Sequence, residues 1–158
     1  MMHWNVTYND PNRWNEVHAI CGPKWPWLDG VRQSLKGNPL GSPKMDLIGL
    51  EGLEELQTMR DDLNHRTGVN FLRTTDGVVA FTKVRLELYA IPIRCGEVLE
   101  VVDAPSHDSL GKAEVRITFS RGGQQVTMRM EGSKSATNRM TQWLSLIHIS
   151  EPTRPLII

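Results

Sequence analysis

The sequence has little cysteine, and its two cysteines, Cys21 and Cys95, lie far apart in the chain. Metal-binding cysteines come as closely spaced pairs, so this spacing does not indicate a metal site. The N-terminus also lacks the basic residues and apolar run of a signal peptide. We therefore expect a reduced, cytoplasmic protein, and no residue pattern indicates a metal or a cofactor.

An excess of charge is missing too, since 18 basic residues balance 18 acidic residues. A chain without net charge has no long-range field to steer it to a polyanion, so we expect no nucleic-acid partner. No apolar run approaches the ~20 residues that span a bilayer, so we expect no membrane span. A chain of 158 residues is long enough for a single domain, which buries roughly 70% of its unfolded surface.

Alternating apolar and polar residues are plentiful from residue 78 to residue 132. This period of two is typical of strands with one buried face. The "RGG" of Arg121–Gly123 predicts a tight hairpin. No helical segment interrupts the alternation, so we expect four consecutive strands in an antiparallel meander. The four segments are "KVRLELYAIP", "GEVLEVVDA", "KAEVRITFS" and "QVTMRME".

A different period appears over Asp46–Thr67, where leucines recur at steps of three and four residues. That spacing predicts one amphipathic helix, which Gly68 would end. The first residue of the segment is a candidate N-cap. Gly49 and Gly52 weaken the first turn, so a start near Glu51 is the alternative.

Proline and glycine are frequent over residues 21–44. We expect this segment to be mostly loop, with a short helix at Leu28–Leu35. It belongs to an insertion, about residues 19–45, in a single domain that covers residues 1–143.

The C-terminal tail, residues 144–158, contains "LSLIHISEPTR". This string resembles the translation of a transposase adapter used in sequencing libraries. We therefore predict that the tail from Leu144 is not native sequence and leave it out of the functional argument.

A lead strand, a helix and four antiparallel strands indicate an α+β protein whose sheet can wrap around the helix. The stretch Gly77–Ala136 resembles the hot-dog fold acyl-CoA thioesterases of the 4-hydroxybenzoyl-CoA thioesterase type. The residues that fit the family's pattern are Val84, Tyr89, Pro92, Gly96, Glu97, Leu99 and Val101. The resemblance implies a hot-dog fold, an antiparallel sheet around one central helix, in a homodimer or homotetramer with active sites at the interface.

In the resembling family the lead strand runs into a loop whose second aspartate is base or nucleophile. The loop here is "YNDPNRWNEV", in which Tyr8 and Asp10 match, Val17 falls one step late and Trp14 lies near the missing glycine. Asn12 takes the place of the catalytic aspartate. Thioesterases of enediyne polyketide pathways are similar in having "D-x-N" in this loop. The similarity implies that Asn12 donates to the thioester carbonyl or holds a water, beside polarising amides of a helix N-terminus.

The enediyne-type pattern continues to a basic residue next to a tryptophan, which Lys24 and Trp25 match. Trp25, with Trp14 and Trp27, is a candidate to wall an acyl or pantetheine channel. The alternative is that the tryptophans pin a long insertion to the body. The basic residues that are candidates for the phosphates of coenzyme A or an acyl-carrier protein are Arg13, Lys24, Arg32 and Lys36.

Hydrolysis assisted by an acid needs a carboxylate, and Glu51 and Glu54 are candidates because other hot-dog branches use a helix glutamate as base. The same glutamates fit a structural part as first-turn acids favoured by the helix dipole. His18 is a further candidate base because histidine titrates near neutral pH. It fits the part of an ordinary surface residue as well.

We therefore expect an acyl thioesterase that hydrolyses an acyl-CoA or acyl-carrier-protein thioester. The alternative is a hot-dog protein that binds acyl-CoA or acyl-carrier protein without hydrolysing it. A dehydratase or hydratase on the same fold ranks lower, because the proline-rich histidine loop of that branch is absent.

Overall fold

The computed structural model of the chain describes residues 2–61, 67–105 and 111–150. Within these ranges the strands are β1 Trp4–Asn5, β2 Met45–Glu51, β3 Thr67–Arg73, β4 Gly77–Val84, β5 Glu87–Arg94, β6 Val98–Pro105, β7 Lys112–Arg121 and β8 Gln124–Ser133. The α-helices are α1 Pro11–Cys21, α2 Trp27–Leu35, α3 Glu54–Asp61 and α4 Lys134–Ser150. A short 3-10 helix, Cys95–Glu97, separates β5 from β6. None of the helices within these ranges has both the length and the hydropathy to cross a bilayer.

The strands form one eight-stranded sheet in the order β1-β5-β4-β3-β2-β8-β7-β6. Every neighbouring pair in the sheet is antiparallel. The sheet contains two meanders, β3-β4-β5 and β6-β7-β8. Strand β2 joins them, because it pairs with β3 on one side and with β8 on the other. The predicted α+β class is confirmed.

The prediction of four strands over residues 78–132 is wrong, because five strands cover this part of the chain. The segment "KVRLELYAIP" is not one strand but a hairpin in which Val84 faces Glu87. Its two turn residues, Arg85 and Leu86, have φ of 52° and 68°. Two-residue hairpin turns need such positive φ, which usually favours Gly or Asn, so the sequence carried no turn signal here.

The predicted hairpin at Arg121–Gly123 is confirmed. Arg121 faces Gln124 at the end of the β7-β8 ladder. Gly122 and Gly123 have φ of 57° and 81°, a conformation that glycine adopts without strain.

The predicted single helix over Asp46–Thr67 is also wrong. Its first part is β2 and only Glu54–Asp61 is helical, while residues 62–66 lie outside the part described. The two elements are separated near Gly52, whose φ of 97° most residues avoid. The expected N-cap, Asp46, is a strand residue opposite Glu131.

A bulge explains why β2 resembles a helix in sequence. Its register on β8 shifts between Leu47 and Gly49, which adds one residue to β2. As a result Leu47 and Leu50, three residues apart, are both buried in the same core cluster. The following helix α3 adds Leu53 and Leu56 to that cluster. Leucines at steps of three residues therefore occur both in the bulged strand β2 and in the helix α3.

The segment Tyr8–His18 is not an irregular loop, because its larger part belongs to helix α1. The Asp10 carboxylate accepts a hydrogen bond from the Asn12 amide at 2.9 Å and so caps the helix. Pro11 occupies the first turn, where its missing N–H costs nothing. The expected short helix at Leu28–Leu35 is confirmed as α2, which begins one residue earlier.

Helices cover both faces of the sheet, which we call the inner face and the outer face. The inner face carries α3 and α4, whose Leu56 and Met140 join the main core cluster. The outer face carries α1, whose Val17 and Cys21 form a second cluster with Trp4 and sheet residues. Strand β4 serves both clusters and is therefore apolar almost throughout rather than alternating.

The tail predicted to be non-native begins at Leu144, which is buried in the main cluster near the middle of α4. Residues 151–158 lie outside the described ranges. The division of the chain at residue 144 stays a prediction.

A buried carboxylate lies on the polar side of β7. Arg129 donates to Glu114 with 2.9 Å between nitrogen and oxygen, and Arg116 donates to it as well. Burial alone would raise the pKa of Glu114, but the hydrogen bonds and charges of Arg129 and Arg116 lower that pKa below its ordinary value. The folded state therefore favours the ionised form.

We expect Glu114→Gln to lower the free energy of unfolding by about 1–3 kcal/mol at pH 7, because charged hydrogen bonds are lost. Since the folded pKa is depressed, this contribution is present above the unfolded pKa and disappears as pH falls through the folded pKa. Urea unfolding at several pH values measures the difference. The exposed Glu100→Gln on β6 is the control, and an equal effect of both variants would contradict the assignment.

Candidate functional site

A cleft of about 530 Å³ opens beside α1 on the outer side of the sheet. It gathers several of the sequence-predicted residues with others that the sequence did not single out. Its lining residues are Asn9, Pro11, Trp14, Asn15, His18, Pro23 and Lys24.

Trp14 is the centre of the cleft's side-chain contacts. Its ring centroid lies 5.6 Å from that of His18 and 6.0 Å from that of Phe81 on β4. The Lys24 ammonium lies 5.6 Å from the Trp14 centroid. A cation within ~6 Å of an indole centroid is attracted by the ring's negative face. The cleft therefore combines a planar apolar wall with a positive charge.

Helix α1 holds these groups in place because its neighbouring buried side is anchored to the sheet. Val17 and Cys21 are buried in the outer cluster, and Trp4 donates its indole N–H to Glu16 at 2.6 Å. Trp14 and His18 are four residues apart and so share one side of the helix. Trp14 packs against the outer cluster and also lines the cleft with His18, so the anchored side of α1 borders the cleft.

The chain after α1 holds Lys24 in place. Gly22 has φ of 83°, and an added Cβ would lie 2.3 Å from the Thr75 hydroxyl, so only glycine fits this turn. Lys24 then pairs with Thr74 in an isolated antiparallel bridge. The Asp76 amide donates to the Cys21 carbonyl at 2.9 Å and ties the end of α1 to the same loop. The lysine backbone is thus fixed against the β3-β4 connection.

Burial lowers the pKa of His18 below its ordinary value of 6.5, and the nearby positive charge of Lys24 lowers it further. The imidazole is therefore neutral at pH 7. A neutral imidazole offers one N–H donor and one acceptor nitrogen to a ligand.

The N-terminus of α1 is already occupied by an acid. The Asp10 side chain accepts a hydrogen bond from the backbone N–H of Asn12, and the Asp10 carbonyl accepts one from the backbone N–H of Trp14. A carboxylate at this position complements the helix dipole and repels a second negative charge. Asn12 itself is exposed and is not among the residues that line the cleft.

The two candidate glutamates lie away from the cleft. Glu54 starts α3, which packs on the inner face, so the sheet lies between Glu54 and α1. Glu51 ends β2, which β3 separates from β4 in the sheet. Neither glutamate lines the cleft that holds His18.

The remaining candidates have three different surroundings. Tyr8 is 80% exposed just before the cap of α1. Val17 is fully buried in the outer cluster. Trp25 donates its indole N–H to the Thr74 carbonyl at 2.9 Å and stacks under the Arg73 guanidinium at 5.4 Å.

Sequence reasoning gave no part to Asn9, Pro11, Asn15 or Pro23, which complete the cleft. A signal for two of them was present. Pro11, Asn15 and His18 follow steps of four and three residues, which put them on one side of a helix. Recognising Asp10-Pro11 as a helix start would have revealed this shared side of the helix.

Among the residues that the structure describes, no group of three or more His, Cys, Asp or Glu side chains is placed to hold a metal ion. Comparison with models of known protein families gives no match. A search of curated protein sequences gives no match either.

We expect Lys24→Gln to raise the pKa of His18, because the substitution removes a positive charge but leaves the burial unchanged. The pKa should stay below that of an exposed histidine. An NMR titration of the His18 ring measures the shift. Lys83→Gln, an exposed substitution on β4, should leave the titration unchanged, and an unaltered His18 pKa in Lys24→Gln would contradict the geometry.

Proposed function

We propose that this chain binds an acyl-CoA or acyl-carrier-protein thioester in the α1 cleft and does not hydrolyse it. The observation that carries the proposal is the Lys24 ammonium over the Trp14 ring in a cleft of about 530 Å³. This volume is in the range of small-molecule sites.

Both carriers combine the groups that such a cleft favours. Coenzyme A has a planar adenine, phosphates and a flexible pantetheine arm, and the acyl-carrier arm also begins at a phosphate. The Trp14 indole offers a face for stacking and for apolar chain contact. Lys24 offers a charge-assisted hydrogen bond to a phosphate oxygen. Neutral His18 adds a hydrogen-bond donor and an acceptor beside the Trp14 indole and the Lys24 ammonium.

Binding is favoured over hydrolysis through Asn12 because of charge at the start of α1. A tetrahedral intermediate places negative charge on the former carbonyl oxygen, and catalysis needs free donors there. The Asn12 backbone N–H donates to the Asp10 carboxylate instead, and Asn12 is not among the residues that line the cleft. An oxyanion at this position would meet the negative charge of Asp10.

The hot-dog arrangement stays a prediction. It calls for a sheet around one central helix, whereas the Asp46–Thr67 segment contributes strand β2 and the eight-residue helix α3. The binding proposal depends on the cleft and does not need that arrangement.

We expect the chain to bind acyl-CoA, and we expect Lys24→Gln to weaken binding about 10- to 100-fold. This is the loss expected for one charged hydrogen bond of about 1.5–3 kcal/mol. Titration calorimetry with acyl-CoA, free CoA and an acyl-carrier protein measures the affinities. Lys83→Gln serves as the charge-matched control.

Affinity should also fall as salt is added, because the phosphate contact is partly exposed. Failure of wild type to bind any of the three ligands would refute the proposal. Equal weakening by Lys24→Gln and Lys83→Gln would move the ligand away from the cleft.

A second candidate is thioester hydrolysis with His18 as general base. The lowered pKa of His18 favours it, because a neutral imidazole can take a proton from water at pH 7. Here we expect thiol release to rise with pH through the lowered His18 pKa and to level off near neutrality.

Thiol release from acyl-CoA and acyl-carrier thioesters separates the two candidates. Hydrolysis through His18 predicts loss of rate in His18→Gln and little change in Asn12→Ala or Glu54→Gln. Release no faster than background from every substrate would eliminate this candidate and leave binding alone.

A further inference from the structure

Helix α2 exposes four large apolar side chains. Trp27 is 78% exposed, Leu28 59%, Val31 40% and Leu35 82%. At 100° per residue they fall within a stripe about 100° wide, which we call the α2 stripe. A stripe of that width is normally covered.

The charged residues of α2 lie off the stripe. At 100° per residue, Asp29 and Arg32 fall on another side of the helix. Their charged atoms are 3.6 Å apart. Gly30 faces the body, where an added Cβ would lie 2.8 Å from the Leu40 side chain. The stripe is therefore free of charge and directed away from the chain's own core.

A groove of about 520 Å³ runs beside the stripe. Its walls are largely apolar, and the small residues Gly30 and Ser34 leave room between them. The other lining residues are Trp25, Pro26, Trp27, Val31, Leu35, Pro39, Leu40 and Gly41. The groove is wide enough to receive a bulky side chain.

We propose that a second copy of this chain covers the α2 stripe, with the two α2 helices antiparallel about a two-fold axis at Val31. Trp27 and Leu35 lie four residues on either side of Val31, so a two-fold axis there brings Trp27 of each copy against Leu35 of the other. An isologous interface needs such a self-complementary patch. The groove beside each stripe accommodates the partner's side chains.

The area is sufficient for a dimer. One aromatic side chain buries about 150–250 Å², so covering the stripe removes on the order of 500 Å² from each copy. Over two copies the stripes give a total on the order of 1,000 Å², the lower bound for a specific interface, and the groove walls add to that area.

A lipid surface fits the stripe less well. Helices that lie on membranes carry many basic residues on their polar side. The nine-residue α2 offers only Arg32 as a basic residue, and Asp29 pairs with it. The chain as a whole has no net charge.

The test compares Leu35→Glu with Leu86→Glu by sedimentation over a concentration series. Leu86 is a matched control, since it is 84% exposed in the β4-β5 turn. We expect wild type and Leu86→Glu to dimerise alike and Leu35→Glu to weaken the dimer about 100-fold, because two carboxylates would be buried without partners. Circular dichroism checks that both variants fold.

Cross-linking tests the position of the axis. Val31→Cys should form an intermolecular disulfide on mild oxidation, whereas Leu86→Cys should not. The native thiols Cys21 and Cys95 are buried, so we expect neither to compete for cross-linking.

A wild type that stays monomeric would overturn the proposal. So would a dimer that Leu35→Glu leaves intact. A dimer that Leu35→Glu breaks but Val31→Cys does not cross-link would refute the two-fold axis at Val31. None of these outcomes depends on thioester binding at the α1 cleft.

Discussion

The double pairing of β2 is the constraint on which the rest of the structure depends. β2 pairs with β3 and with β8, so it joins two meanders that are otherwise separate. Its bulge turns both Leu47 and Leu50 into the main core, under α3. Gly49, the residue after the register shift, faces Arg129 in the ladder, so the bulge lies beside the charged network around Glu114.

The outer face depends on β4, because that strand is buried on both sides. Val79 and Phe81 belong to the outer cluster and not to the main core under α3 and α4. They give α1 a surface to pack on. Phe81 then contacts Trp14, so the strand on which α1 packs also supports the wall of the cleft.

The cap of α1 limits the chemistry that is possible at the start of this helix. Asp10 stabilises the helix with a negative charge, and the same charge makes this helix start a poor place for an oxyanion.

The class, the strands β6, β7 and β8, the glycine hairpin and α2 could be predicted because each has a local signal. Three features were missed. The bulge in β2 gave a strand the leucine spacing of a helix. The turn at Arg85 and Leu86 uses positive φ without Gly or Asn, because the ladder on both sides fixes it. The start of α1 was masked by Pro11, which favours turns and helix starts alike.

Within the site, the pairing of Trp14 with His18 could have been predicted from helical spacing once α1 was recognised. The position of Lys24 could not, because it depends on Thr74 in a distant loop. That loop also fixes Trp25, whose indole N–H donates to the Thr74 carbonyl. Lys24 belongs to the cleft and Trp25 to the groove beside α2, so adjacent residues on one anchored segment face two different surfaces. The ligand that we propose at Lys24 and the second copy that we propose on the α2 stripe therefore use separate surfaces of the chain.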